Sequence, residues 1–356
     1  MDTGSRIRTQ LATFRIDPHI VAMLVTVAVA SLLPARGSFN AGAHTTTTIA
    51  IGLLFFLYGA RLSARQAIDG FKRWPLHIVV FVTTFVLFPL LGLAGRLLVP
   101  WALTPALYAG LLFLCCLPST VQSSIAFTSI AGGNMPVAIC SASFSNLIGI
   151  VITPLLVSML LVTKFGGISV DAIWDIMLRL LAPFLAGQLL RPWIGGFIAR
   201  HKKVLGLLDR GSILLVIYTA FSDGVAAGIW RHLALTSLLL LLVMNAVLLA
   251  TVLVITTVVT RKLGFDRADE ITIVFCGSKK SLASGIPMAT VLFPAQTLGL
   301  IVLPLMLFHQ LQLIVCAWLA RRYARRGSDQ LQSRTVSQAE VGPLSGDTQP
   351  GGMVVR

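Results

Sequence analysis

The chain has 356 residues, of which 56% are hydrophobic and only 12% are charged, and its mean hydropathy is +0.87. Soluble domains carry about 25% charged residues, so this composition excludes an ordinary soluble protein. The formal net charge of +15 would suit a nucleic-acid-binding protein, but the lysines and arginines form short clusters between long apolar segments, which indicates a membrane protein instead.

Ten apolar segments follow one another along the chain, and each could form a helix that crosses a bilayer, which needs about 20 residues. They cover roughly residues 16–33, 45–61, 74–98, 104–131, 134–162, 171–191, 204–223, 232–260, 268–293 and 296–320. The sequence therefore predicts an all-α membrane protein with ten transmembrane helices.

The first segment follows three arginines and resembles a signal peptide, but no convincing small-x-small cleavage site comes after it, so we assign it as the first helix.

Basic residues mark one side of this predicted membrane protein. They cluster in alternate connections, around residues 6–15, 61–73, 191–210, 261–267 and 321–326. The positive-inside rule places these clusters in the cytoplasm, so both termini are expected on the cytoplasmic side of a bacterial inner (plasma) membrane. An amphipathic segment at 195–203 is expected to lie at the membrane interface, between the sixth and seventh spans.

The chain is expected to divide into four parts. They are a cytoplasmic N-terminus at 1–15, a first five-helix repeat at 16–165, a second five-helix repeat at 166–325, and a disordered cytoplasmic tail at 326–356. Because each repeat has an odd number of spans, the second must be inverted relative to the first. Inverted repeats recur in secondary transporters.

The fourth and ninth segments each contain a helix break near the middle of the membrane. In the fourth, Pro118 removes a backbone donor, and polar residues follow it: Ser119, Thr120, Gln122, Ser123 and Ser124. In the ninth, Gly277, Gly285 and Pro287 weaken the helix, and the polar residues Ser278, Lys279, Lys280 and Ser281 lie between them. Non-helical backbone inside a membrane must face protein or a water-filled cavity, and two broken helices in corresponding positions indicate a transporter's binding site.

Two adjacent lysines lie deep in the ninth segment. Lys279 and Lys280 follow Arg267 by enough residues to place them roughly 18–20 Å into the membrane along a helix. Intramembrane lysines are costly and usually functional, although snorkelling or pairing with a helix C-terminus would be a structural alternative. We expect Lys280 to face a cavity and to bind an anion together with N–H groups of the broken helices.

The acidic residues are informative by their positions. None of the 13 Asp and Glu residues lies in the middle of a predicted span. A cation site would therefore have to use neutral oxygen atoms, or a lysine ammonium group would take the place of the cation.

In the tenth segment, His309 and Gln312 share one helix face, and they are expected either to line the cavity or to form hydrogen-bonded packing.

Several motifs together carry a family resemblance. They are 117–124 (LPSTVQSS), 132–134 (GGN), the run 146–155, 187–188 (GQ), 217–219 (IYT), 221–223 (FSD), 278–282 (SKKSL), 285–287 (GIP), and His309 with Gln312. In these motifs the chain resembles the bile acid:sodium symporter superfamily, solute carrier family 10. It is most similar to the branch of the seventh vertebrate member and its bacterial relatives.

The resemblance implies a core domain and a panel domain, with spans four and nine crossing at their breaks in the core. It also implies sodium ligands at Ser123 and Ser124, with Ser141 and Ser145 near the ligand region of span five and Thr84 near a ligand of span three. Sodium-coupled members carry a glutamate where this chain has Phe275, and two amide side chains where it has the lysine pair. Sodium coupling is therefore left open.

The sequence favours a secondary active transporter that moves a small organic anion across the inner membrane by alternating access. No cofactor is expected other than a possible sodium ion, no nucleic acid is expected as a partner, and the oligomeric state stays open. The alternative is a regulatory or scaffold membrane protein that keeps a symporter fold without sodium-coupled transport. An intramembrane enzyme is disfavoured, since the sequence contains no His-Glu-x-x-His, no Gly-x-Ser-x-Gly and no aspartate pair within the helices.

Overall fold

The computed structural model describes residues 18–61, 73–99, 103–161, 170–228 and 235–340, and all the regular structure in these ranges is helical. The helices in the first half are α1 (Pro18–Leu32), α2 (Gly37–Arg61), α3 (Trp74–Val82), α4 (Phe88–Ala94), α5 (Pro105–Cys116), α6 (Gln122–Ala131) and α7 (Met135–Leu161). Those in the second half are α8 (Val170–Arg200), α9 (Lys202–Ala226), α10 (Leu235–Lys262), α11 (Arg267–Gly277), α12 (Leu282–Leu292) and α13 (Ala295–Glu340).

Within the described residues, six helical stretches are long and apolar enough to cross a membrane. They are Gly37–Arg61, Trp74–Leu97, Met135–Leu161, Lys203–Ala226, Leu235–Lys262 and Ala295–Arg326. The chain is thus a multi-pass membrane protein. The fourth and ninth predicted segments are each divided into two short helices, because α5 ends at Cys116 before α6 begins at Gln122, and α11 ends at Gly277 before α12 begins at Leu282.

A π-helical turn, Thr83–Leu87, joins α3 to α4. Its wider winding means that the Phe88 N–H bonds to the Thr83 carbonyl, five residues back, and not to the carbonyl of Thr84. The next residue, Pro89, has no N–H to offer. The Thr84 carbonyl therefore needs a partner from outside its own helix.

Two glycines allow α2 and α8 to approach each other closely. A Cβ added at Gly59 would lie 1.9 Å from the Phe184 carbonyl oxygen, and one added at Gly187 would lie 1.9 Å from the Phe56 carbonyl oxygen. The helix α9 packs against both α1 and α2. We call α1, α2, α8 and α9 the four-helix group; α7 and α13 are among the helices that pack against it.

The interior of the molecule is centred on the first half of the broken fourth segment. Every side chain from Leu111 to Leu117 is buried, and the residues 113–117 are completely inaccessible to solvent. The largest apolar cluster surrounds this stretch and includes residues of α12 and α13. The end of α5 therefore lies deep in protein, where its last carbonyl groups cannot reach water.

Two predicted boundaries differ from the structure. The helix α8 continues to Arg200, and α9 begins at Lys202 after a turn at His201, so the predicted interfacial segment at 195–203 belongs to these two helices. The helix α13 continues to Glu340, so the residues 326–340 of the predicted disordered tail are helical. This stretch contains arginine, alanine, glutamine and leucine, which are good helix formers and can extend a helix that packing has already started. The predicted N-terminus at 1–15 and the residues 341–356 lie outside the described ranges.

Candidate functional site

The two helix breaks contact each other through backbone and serine groups. The Ser281 N–H donates to the Pro118 carbonyl at 2.9 Å. The Ser119 hydroxyl donates to the Cys276 carbonyl, and the Ser124 hydroxyl donates to the Phe275 carbonyl at 3.1 Å. The ends of α5, α6, α11 and α12 therefore meet at one place inside the molecule.

Side chains of α7 satisfy the backbone that Pro118 leaves unpaired. The Ser119 N–H donates to the Ser145 hydroxyl at 3.0 Å, and the Asn146 amide donates to the Ser119 carbonyl. The Thr153 hydroxyl donates to the Cys116 carbonyl at 2.8 Å. Ser145 was predicted as a site residue, but here it supports the break, and the predicted Ser141 is buried one turn earlier on the same helix.

The ammonium group of Lys280 is held in a cage of three backbone carbonyls. Its Nζ atom lies 2.8 Å from Thr84 O, 2.8 Å from Cys115 O and 2.7 Å from Leu117 O. The ring of Phe88 lies 4.1 Å away. Since three acceptors require three N–H donors, the geometry fits the protonated form.

The expectation that Lys280 faces the cavity is wrong, and its role in binding an anion stays a prediction. The residue is completely buried, and it does not line the cavity described below. The physical reason is local: Pro89 and Pro118 remove backbone donors near these carbonyls, and the lysine supplies the missing ones.

Lys279 is also completely buried but points to a different partner. Its Nζ atom donates to the Ser123 carbonyl at 2.7 Å and lies 3.9 Å from the ring of Phe127 and 5.3 Å from that of Phe275. Phe275 thus contributes a π face to a cation. None of the ion pairs within the described part of the chain includes Lys279 or Lys280.

Gln312 holds the extended backbone of the second break. Its Oε1 atom accepts from the Lys280 N–H at 2.9 Å, and its Nε2 atom donates to the Lys280 carbonyl at 3.0 Å. The same Nε2 atom lies 2.8 Å from His309 Nδ1, which must accept because an amide nitrogen only donates. Gln312 is buried behind the cavity wall, whereas His309 lines the cavity.

A cavity of about 1040 Å³ lies between the four-helix group and the two breaks. On one side it is lined by Phe55, Tyr58 and Phe184. On the other side it is lined by residues of the breaks and of the first turns of α6 and α12, namely Thr120, Gln122, Ser123, Ser281, Leu282, Ala283 and Ser284. Because both helices begin at this wall, their first N–H groups and positive dipole ends lie beside the cavity.

One part of the cavity wall is charged and mainly basic. Arg61, Lys203 and Arg210 line it together with Asp209, whose carboxylate pairs with Arg61. Sequence reasoning used these basic residues only to assign the cytoplasmic side. Their contribution to a cavity had no signal in the sequence, because only the packing of α2 against α9 brings them together.

The structure divides the predicted site residues into two sets. Thr120, Gln122, Ser123, Ser281 and His309 line the cavity. The others lie behind its wall, and all of them except Ser141, which is only shown to be buried, form or contact the breaks: Pro118, Ser119, Ser124, Ser141, Ser145, Gly277, Ser278, Lys279, Lys280 and Gln312. The sequence thus located the region, but it did not distinguish the lining from the supporting residues.

The oxygen atoms near Ser123 and Ser124 are a poor fit for a sodium ion. The Ser123 carbonyl already accepts a hydrogen bond from the Lys279 ammonium group, and the Ser124 hydroxyl donates a hydrogen bond to the Phe275 carbonyl. A second positive charge beside Lys279 would also be repelled. No group of three or more His, Cys, Asp or Glu residues that could hold a metal occurs in the described ranges.

Comparison with known proteins assigns a family to this chain. The family model that matches residues 17–325 is that of the SBF-like CPA transporter family. The chain is 56% identical over 314 residues to the uncharacterized protein PA2026 of Pseudomonas aeruginosa, which covers 88% of this chain and 94% of that protein. It is 52% identical over 328 residues to the putative symporter YfeH of Escherichia coli, which covers 92% and 98%.

A more distant similarity extends to vertebrates. The chain is 28% identical over 311 residues to the sodium/bile acid cotransporter 7 of Danio rerio, with 86% of this chain and 93% of that protein covered. The resemblance inferred from the two break motifs is thereby confirmed. The chain belongs to the SBF-like CPA transporter family, whose members are membrane transporters and not enzymes.

Proposed function

We propose that the chain is a secondary active transporter that moves a small organic anion across the bacterial inner membrane by alternating access. The observation that carries this proposal is the cavity of about 1040 Å³, which both helix breaks and the four-helix group line together. Its size is at the upper end of the range of small-molecule sites, roughly 300–1,000 Å³. It is bounded by two bodies that could move relative to each other.

The charge of the wall supports an anionic substrate. Three basic side chains and one acidic side chain line the charged part of the cavity, so this part is net positive. The first turns of α6 and α12 add positive dipole ends at the breaks. The aromatic side chains Phe55, Tyr58 and Phe184 would contact an apolar part of the substrate.

The proposed architecture is ten spans in two inverted five-helix repeats. In it, α3 and α4 form the third span, α5 and α6 the fourth, and α11 and α12 the ninth, so each repeat has its fourth span broken. The packing supports the symmetry: α2 contacts α8, and α1 contacts α9, which are the pairs that an exchange of repeats would interchange. The four-helix group would be the panel domain, and the remaining helices would be the core domain, in which the broken spans cross.

The basic part of the wall suggests the side to which the cavity opens. Arg61, Lys203 and Arg210 belong to clusters that the positive-inside rule assigns to the cytoplasm. The structure would then represent an inward-open state, with both termini in the cytoplasm. Rocking of the four-helix group against the breaks would close this opening and expose the same site to the other side.

The test is uptake by proteoliposomes that contain the purified protein, measured with a panel of labelled organic anions. We expect at least one anion to accumulate above the level of empty liposomes. For that anion, Arg210→Gln should raise the KM roughly tenfold or more, because a charge-assisted contact contributes about 1.5–3 kcal/mol. Lys262→Gln is the control, since Lys262 is exposed at the end of α10 and does not line the cavity.

If none of the anions accumulates, or if Arg210→Gln and Lys262→Gln behave alike, the proposal fails in its present form. A complete absence of transport would favour the alternative of a regulatory or scaffold protein that keeps the transporter fold. No described contact favours that alternative at present.

A further inference from the structure

We propose that the Lys280 ammonium group is a covalently attached substitute for a bound alkali cation. It fills a site made of carbonyl oxygens where the two breaks meet the π-helical turn, so the transporter needs no free cation at this place. The inference deepens the proposed function, because it concerns how the same site is coupled to ions. Its structural part, the cation site itself, can be tested without a transported substrate.

The cage has the ligands of a monovalent cation site. Its three carbonyls come from two separate parts of the chain, Thr84 in the π-helical turn and Cys115 and Leu117 at the end of α5. Rings of backbone carbonyls replace the hydration shell of alkali ions in selective membrane sites, and an aromatic face such as that of Phe88 also attracts cations. The cage therefore suits a small monovalent cation, whether it is free or attached to the chain.

The surrounding backbone leaves carbonyl acceptors that need a cation or hydrogen-bond donors from elsewhere in the protein. Thr84 O cannot bond to Pro89, which has no N–H, and the Ser119 N–H, which would pair with Cys115 O in a continuous helix, donates to Ser145 instead. The carbonyls at the end of α5 also form the negative end of that helix. Without the lysine, three acceptors would be left unpaired in a region inaccessible to water.

Hydrogen bonds to the backbone of Lys280 and of its neighbour Ser281 fix the position from which the lysine side chain extends. Gln312 binds both the N–H and the carbonyl of Lys280, and Ser281, the next residue, donates its N–H to the Pro118 carbonyl. The side chain thus enters the cage from a fixed backbone. A free ion would have to be bound and released, whereas this charge stays with the protein through every state.

The experiment measures the melting temperature of the purified protein in detergent, in chlorides of sodium, potassium, lithium and choline at constant ionic strength. For the wild-type protein we expect no difference between the alkali ions and choline, because the cage is already filled. The variant Lys280→Ala removes the ammonium group and leaves a space. We expect it to melt roughly 5–10 °C lower in choline, as expected for several kcal/mol lost from a large domain.

At least one alkali chloride should then restore half or more of the lost melting temperature in Lys280→Ala, with saturation, since a ligand that binds only the folded state stabilises it. The variant Lys280→Met is the matched control: it removes the charge but still fills the space, so it should be destabilised without any rescue. n-Propylammonium chloride, which replaces the deleted atoms of the side chain, tests whether the cage of Lys280→Ala is accessible.

Each result decides the question. A saturable rise in the wild-type melting temperature with sodium would overturn the inference, because the native protein would then hold an alkali cation itself. Rescue of Lys280→Ala by n-propylammonium but by no alkali ion would overturn it as well, as would a folded variant that no cation stabilises. If Lys280→Ala does not fold, the wild-type titration still decides, together with uptake in the presence and absence of a sodium gradient.

The uptake measurement separates this inference from the proposed function. Uptake of an anion that is unaffected by the sodium gradient supports both. Uptake that a sodium gradient drives would confirm transport and contradict the inference that the Lys280 ammonium group takes the place of the cation. No uptake of any anion, combined with alkali rescue of Lys280→Ala, would contradict the proposed function and leave the cation site intact.

Discussion

At the scale of single residues, the backbone groups freed by the helix breaks are paired with particular side chains. Ser145, Asn146 and Thr153 of α7 serve the break after α5. Gln312 of α13 binds both backbone groups of Lys280. An unpaired backbone group in a membrane interior is expensive, so these polar side chains are part of the structure of the break.

Gln312→Leu tests this role. The substitution keeps a side chain of similar size but leaves the Lys280 N–H and carbonyl without partners, which should cost about 1–3 kcal/mol for each group. We therefore expect a clear fall in the melting temperature measured in detergent. Gln310→Leu, the same substitution two residues earlier at a half-buried position, is the control. Equal stability of the two variants would show that the amide pair does not hold the break.

At the scale of helices, the four-helix group depends on the close approach of α2 and α8. Gly59 and Gly187 each face a backbone carbonyl of the other helix, and backbone cannot move aside as a flexible side chain can. Small residues at helix contacts are how membrane proteins bring two backbones together. In the proposed alternating-access motion, this contact would keep the four-helix group rigid.

Gly59→Ala should therefore destabilise the protein by about 3 kcal/mol, at the upper end of the usual cost of overpacking. The control is Gly52→Ala in the same helix, where an added Cβ meets nothing within 4 Å. That control should be neutral or stabilising by up to about 1 kcal/mol, because alanine is the better helix former. Thermal unfolding in detergent measures both changes, and a Gly59→Ala variant as stable as Gly52→Ala would rule out the tight contact.

Local sequence signals predicted some elements well and others poorly. Pro118 and Gly277 indicate breaks by their own chemistry, so the region of the site was found, whereas Gly285 and Pro287, which were also expected to weaken the ninth helix, lie inside α12. The direction of Lys280 was predicted wrongly, because helical periodicity says nothing about a side chain that leaves a non-helical segment. The cavity residues Tyr58 and Arg210 carry no local signal, since only the packing of distant helices places them near the breaks.

At the scale of the whole molecule, the cavity separates the four-helix group from the breaks. A reagent added on one side of the membrane should reach the cavity faster than the same reagent added on the other side. The five cysteines at 115, 116, 140, 276 and 316 are all buried, so the native chain offers little background to a thiol reagent. A cysteine at Ser143, which lines the cavity, would report its accessibility.

We expect Ser143→Cys to react with a membrane-impermeant maleimide faster from the cytoplasmic side of oriented vesicles than from the other side. A transported anion should slow the reaction, because it fills the cavity. Ser141→Cys is the matched control on the same helix, since Ser141 is buried and does not line the cavity. Faster labelling from the periplasmic side would contradict the proposed orientation of this state.

The carbonyl cage also has a consequence for the synthesis of the protein. The partners of Lys280 at Cys115 and Leu117 precede it by 165 and 163 residues, so they leave the ribosome long before the lysine does. During that interval the first half of the chain has these carbonyls without the lysine that pairs with them in the finished molecule. The carbonyl cage is therefore completed only when the ninth segment arrives and Lys280 can enter it.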